Sequence, residues 1–113
     1  AASDVYKRQV IRTGTYIPTP EVIIEESARS FQLTGADLRG QSRNKKTAMA
    51  RQIAMYLMRN LTNLPLKEIG EEFGGRNHAT VLSSIRKVEE LLKSDPEIAA
   101  TVRDITSNIN SKN

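Results

Sequence analysis

The residues best suited to chemistry stand together at one point, Arg76-Asn77-His78-Ala79-Thr80. Asn77 is a good N-cap, so His78, Ala79 and Thr80 fall in the first turn of a helix. There, side chains and unpaired backbone N–H groups can reach base edges and phosphates. Arg76 lies beside them, with Arg86 and Lys87 further along. Catalysis has far less to work with. The chain has no cysteine and one histidine, which excludes a Cys/His zinc site, an iron–sulfur cluster, a disulfide scaffold and a thiol nucleophile. A lone His78 builds neither a triad nor a metal site. Glu68, Glu71 and Glu72 read as the solvated face of an amphipathic helix rather than an acid/base pair. The Walker pattern GxxxxGK[ST] is absent.

The charge distribution points the same way. Lys and Arg number 17 against 13 Asp and Glu, a formal net charge of +4 that says little by itself. Along the chain it is uneven. Leu38 to Lys67 holds no acid but carries Arg39, Arg43, Lys45, Lys46, Arg51, Arg59 and Lys67. A second acid-free stretch, Arg76 to Val88, holds Arg76, Arg86 and Lys87. Basic stretches of this kind displace counterions from a phosphate backbone.

These residues need helices to present them. Thr19-Pro20-Glu21 is a cap, a first-position proline and an acid at the positive end of the dipole. It predicts a helix over 20–31. Thr34 caps a short one over 35–39, ended by Gly40. The segment 46–62, KTAMARQIAMYLMRNLT, is rich in Ala, Met and Leu and places Ala50, Ile53, Ala54, Leu57 and Leu61 at helical spacing. It is the expected central helix. Pro65 suits the first turn of a helix over 65–73, stopped by Gly74-Gly75. The next helix runs over 78–93 with Val81, Ile85, Val88 and Leu92 as its apolar stripe. Asp95-Pro96-Glu97 opens the last, with Ile98, Val102, Ile105 and Ile109 inward. No strand is expected, so the fold class is all-α, about six helices. The helices flanking Gly74-Gly75-Arg76-Asn77 form a helix-turn-helix. Residues 1–17 show no period and read as a leader or linker. Residues 18–113 form the domain. No apolar run approaches the ~18 residues of a membrane span, and the first residues lack the apolar region of a secretory signal.

GEEFGGRNHATVLSSIRKVEEL and the preceding SRNKKTAMARQIAMYLMRNLTNLPLKEIG resemble the signature of the DnaA family of bacterial replication initiators. TPEVIIEESARSFQLTGADLRG is similar to the first helices of that family's C-terminal DNA-binding domain. The resemblance covers about residues 17–110, whereas residues 1–9 match nothing in the family and read as a cloning or assembly remnant. It implies a Trp-repressor-like helix-turn-helix that binds double-stranded DNA at the short repeats called DnaA boxes. The recognition helix would enter the major groove and the preceding basic loop the minor groove. Carried over by position, Arg43 is the minor-groove arginine. Arg51, Gln52, Arg59 and Lys67 hold phosphates, with Lys45 and Thr47 also at the DNA. Leu66 begins the helix that crosses the backbone. Arg76 is the arginine of the turn, His78 and Thr80 are recognition-helix contacts, and Lys87 is a later basic contact. Two positions depart from the family's Arg-Asp-His-Thr-Thr. Asn77 can still cap and accept a hydrogen bond, but it lacks the carboxylate that accepts from cytosine N4, and Ala79 keeps only a methyl group for a thymine methyl. Ala50 stands where the family has proline.

The resemblance further implies no enzyme in this domain and no cofactor, ATP belonging to the ATPase module of the full-length protein. It also implies a cytoplasmic, nucleoid-associated location. An isolated domain of this kind is expected to be monomeric, with a replication regulator as a further protein partner. The rival reading is a helical interaction module whose basic face docks an acidic protein.

Overall fold

The computed structural model describes residues 17–111, and the reading of residues 1–16 as a leader lies outside them. Six helices follow one another: α1 (Pro20–Ser30), α2 (Gly35–Arg39), α3 (Lys45–Leu61), α4 (Leu66–Glu72), α5 (His78–Ser94) and α6 (Pro96–Asn110). There is no strand among the described residues. No helix among them is long and apolar enough to cross a membrane.

The helix starts follow the side chains that satisfy their free N–H groups. Thr19 Oγ1 accepts from the Val22 N–H at 3.2 Å. Asn44 Oδ1 accepts from Lys46 at 2.9 Å, and Asp95 Oδ1 from Glu97 and Ile98 at 3.0 and 3.3 Å. Pro65 departs from expectation. It adopts an extended ψ of 161° and sits at the N-cap of α4, outside the helix, without a side-chain cap. Its ring fixes φ while the chain turns into α4, so the helix begins at Leu66.

Thr34 and Asp37 cap α2 reciprocally: the Asp37 N–H donates to Thr34 Oγ1 at 3.2 Å, and the Thr34 N–H donates to Asp37 Oδ2 at 2.9 Å. Hydrogen bonds from Thr34, its backbone N–H first and then its hydroxyl, hold the Asp37 carboxyl below its ordinary 3.8. A depressed folded value means the stabilisation is present above the unfolded value and lost as pH falls through the folded one. We expect amide protection in α2 to decline in acid titration below about pH 4, and Asp37→Asn to lose that pH dependence. Protection factors in α2 that are flat with pH in both chains would contradict it.

The central position of α3 follows from its composition. Ala50, Ile53, Ala54, Met55, Leu57 and Met58 are all buried, and they cover more than one face of the helix. It packs against α1 and α5 chiefly, and also against α2 and α4. Into the same core go Ile23, Ile24 and Ala28 of α1, Leu38 of α2, and Ile69 of α4. Phe73, Val81, Ile85 and Val88 follow, with Val102, Ile105 and Ile109 of α6. Burying each such aliphatic side chain contributes about 1.5–3 kcal/mol. The outcome is a rigid seat for α4, α5 and the loop before α3.

Candidate nucleic-acid interface

The corner between α4 and α5 is built on glycines. Gly74 and Gly75 take φ of +80° and +85°, the left-handed region that side chains rarely adopt. The Gly70 carbonyl accepts from the N–H groups of Phe73, Gly75 and Arg76 at 3.1, 3.1 and 3.0 Å. The turn thus folds back onto the end of α4. Phe73 is fully buried beneath it, and Val81 is buried at the start of α5.

Asn77 caps α5, its Oδ1 accepting from the Thr80 N–H at 2.9 Å. Asn77, His78, Ala79 and Thr80 are all exposed. Arg59, Pro65, Leu66, Lys67, Glu71, Gly75, Arg76, Asn77 and His78 line one concavity. Of these, Arg59 and Lys67 are exposed and Leu66 is half-buried. Lys87 is exposed, and its seven-residue spacing from Thr80 puts the two on one face of α5. Arg43 and Lys45 are exposed at the loop 40–44 and the first turn of α3.

Three of the expected contact residues are engaged within the fold. Arg51 directs its guanidinium at backbone carbonyls. The residue is buried, its Nε donates to the Leu38 carbonyl at 2.8 Å, and its Nη2 donates to the carbonyls of Gly40 and Ser42 at 3.2 Å and of Asp37 at 3.4 Å. Arg76 is half-buried and lines the concavity, and its guanidinium is also held by the backbone: Nη2 donates to the Gly40 carbonyl at 2.8 Å and Nη1 to the Phe73 carbonyl. Burial lowers the pKa of both arginines from the ordinary value, and the Arg76 charge lowers that of Arg51 further. Thr47 is also buried, so its side chain supports the start of α3 and does not reach out. Gln52 is half-buried, and its Oε1 is enclosed without a hydrogen-bond partner.

The acids of α4 divide in a way their periodicity does not show. Glu72 lies 3.9 Å from Arg39 and links α4 to α2. Glu68 borders a separate notch lined by Ile17, Pro18 and Leu64. Glu71 shares the basic concavity with Arg59, Lys67 and His78. Ser83 was not singled out by sequence reasoning. It is exposed, four residues after Ala79, and continues the surface of α5 from its first turn; that spacing was the available signal.

A glycine-closed corner, an exposed first turn on its second helix and flanking exposed cations define a helix-turn-helix DNA-binding domain. The model of the bacterial dnaA protein helix-turn-helix matches residues 20–88, and the chain belongs to that family. It is 50% identical over 90 residues to the chromosomal replication initiator protein DnaA of Leifsonia xyli subsp. xyli, covering 80% of this chain and 19% of that protein. Against the same-named protein of Cutibacterium acnes it is 44% identical over 108 residues, 95% of this chain and 22% of the relative. For Crocosphaera subtropica the figures are 45% over 92 residues, 81% and 20%. The chain thus spans about a fifth of the length of the curated relatives it matches. The match is to the helix-turn-helix domain and not to an ATPase region.

Proposed function

We propose that this domain binds double-stranded DNA sequence-specifically at DnaA-box-like repeats, and so serves the initiation and regulation of chromosomal replication. The observation that carries the reading is the exposed first turn of α5 beside a basic loop whose backbone is hydrogen-bonded to the turn of the same helix-turn-helix. The first turn of α5 enters the major groove, where His78, Ala79 and Thr80 meet base edges. Arg43 enters the adjoining minor groove, whose negative potential is greatest where it is narrow and A/T-rich. With Arg51 buried and both arginines held by backbone carbonyls, phosphates fall to Lys45, Arg59, Lys67 and Lys87. Leu66 and the start of α4 lie over the backbone. The domain acts as a monomer on each repeat and takes no nucleotide itself, ATP being bound by the ATPase region of full-length family members. A nucleoid location follows from DNA binding, and a replication regulator is a further partner of the full-length protein.

Arg43→Ala and His78→Ala are expected to weaken binding to a preferred duplex by about 1–3 kcal/mol each, and to weaken random duplex far less. Fluorescence titration on both duplexes decides it. Equal losses on both would remove these residues from sequence readout. Four phosphate contacts should give log Kobs a slope of about −4 against log salt on either duplex. A chain that fails to bind duplex even at low salt would return the basic face to an acidic protein partner.

A further inference from the structure

Two arginines, one buried and one half-buried, meet at one atom. The Gly40 carbonyl oxygen accepts from Arg76 Nη2 at 2.8 Å and from Arg51 Nη2 at 3.2 Å. Arg76 lies 36 residues from Gly40 and belongs to the turn of the helix-turn-helix, whereas Arg51 projects from α3. Neither guanidinium forms a hydrogen bond to a carboxylate among the described residues; each is held by backbone carbonyls. Two cations brought to one carbonyl repel one another, and the further carbonyls that each guanidinium reaches offset that repulsion.

Two other contacts fix the same junction. A Cβ at Gly74 would lie 2.6 Å from the Arg39 carbonyl oxygen, which shows how closely the turn approaches the end of α2. The Arg39–Glu72 pair spans the same junction at 3.9 Å. Arg43 stands three residues beyond Gly40, and His78 two residues beyond Arg76. The carbonyl is therefore the joint between the segment that carries the loop cation and the segment that begins α5.

We propose that Arg51 and Arg76 are positioning residues that lock the Arg43 loop to the start of α5, so that the minor-groove and major-groove contacts form as one unit. The proposal rests on the DNA-binding reading above. A loop free to move would contribute its minor-groove contact independently, with the entropy of ordering subtracted at each binding event. A loop bolted to the turn is already placed when α5 enters the groove. Arg76 then influences sequence readout through the placement of Arg43.

The test is a double-mutant cycle on the 113-residue chain, using Arg43→Ala, Arg76→Met and the double variant. Two probes are used: a synthetic duplex carrying the sequence that the parent chain selects from a random pool, and a scrambled duplex of equal composition. Arg43→Ala in the parent background is expected to cost roughly tenfold on the selected duplex, and in the Arg76→Met background less than about threefold, a coupling of the size that residues sharing one network show. Arg76→Met also removes one positive charge from the concavity, so a loss of about threefold is expected on the scrambled duplex, and a larger one on the selected duplex, where the Arg43 contact is uncoupled as well.

Arg43→Ala losing the same factor in both backgrounds would overturn the coupling. Equal losses from Arg76→Met on both duplexes would also overturn it, since that is the behaviour of a direct phosphate contact. If Arg76→Met is unfolded by circular dichroism, Arg76→Lys takes its place. It keeps the charge but loses the fork that spans the two carbonyls, and it is expected to uncouple the loop as the Met variant does. Retention of the full coupling by lysine would overturn the proposal. A parent chain that selects no sequence overturns the DNA-reading function and the coupling with it. A parent that selects one, while its variants behave additively, overturns the coupling alone.

Discussion

Gly70→Ala is expected to destabilise the domain by about 3 kcal/mol, although alanine is the better helix former. In an open helix the exchange gains about 1 kcal/mol. The sign reverses here because a Cβ at Gly70 would lie 2.0 Å from the Arg76 carbonyl oxygen and 3.1 Å from its carbonyl carbon. Both are backbone atoms and cannot swing aside. The obstruction comes from the turn itself, since the three N–H groups converging on the Gly70 carbonyl are what draw Arg76 across the helix end. Relief means breaking those bonds or lifting the start of α5, with the fully buried Val81, away from α4. Thermal unfolding should show the midpoint falling by roughly 12–24 °C, at 4–8 °C per kcal/mol for a domain near this size. Gly75→Ala is the control. A Cβ there meets nothing within 4 Å, so only its φ of +85° is penalised, at about 1–2 kcal/mol. A Gly70→Ala chain as stable as its parent would show that the corner is wider than the structure has it.

That glycine illustrates where sequence reading stops. Its smallness suits a close approach at the helix end, but the identity of the obstructing atom depends on how the turn folds. The helix order was legible because capping is local: Thr19, Thr34, Asn77 and Asp95 each satisfy N–H groups two or three residues away. Periodicity likewise placed Ile53, Val81, Ile85 and Ile105 inside. The exposure of His78 and Thr80 was legible from their place in the first turn of a helix, whereas their role at DNA rests on the resemblance. Arg51 and Arg76 were not legible, because an arginine beside basic neighbours looks like a phosphate ligand until its partners are known. Those partners are carbonyls 9 to 14 residues away for Arg51, and for Arg76 one of them lies 36 away. Such pairings come from tertiary packing and leave no period in the chain. Thr47 misled for a related reason. Three residues past an N-cap, a threonine can face either way, and here the α3 core claims it.

Asn77→Asp is expected to exchange the base preference at one position of the bound sequence, by roughly ten- to hundredfold in favour of a cytosine facing residue 77. The cap decides this. Asn77 Oδ1 is turned to the Thr80 N–H at 2.9 Å, which leaves Nδ2, a pure donor, as the better placed polar group to meet a base. A donor suits the O6 or N7 of guanine, N7 of adenine or O4 of thymine, and it repels the N4 amino group of cytosine. Aspartate would cap with one oxygen and present the other as an acceptor, the complement of cytosine N4. Two smaller effects accompany the exchange. The carboxylate interacts favourably with the helix N-terminus by about 0.3–1 kcal/mol, which raises stability. It also places a negative charge near phosphates, which weakens binding to duplex of any sequence. The base contact is the largest of the three on a cytosine-bearing duplex, at about 1–3 kcal/mol, and is absent on random duplex. The variant should therefore bind random DNA more weakly than the parent, yet bind its own selected sequence well. Parallel selections from one random pool would read this directly. Identical base preferences from the two chains would mean that residue 77 serves α5 only as a cap, and that specificity resides in His78, Ala79, Thr80 and Arg43.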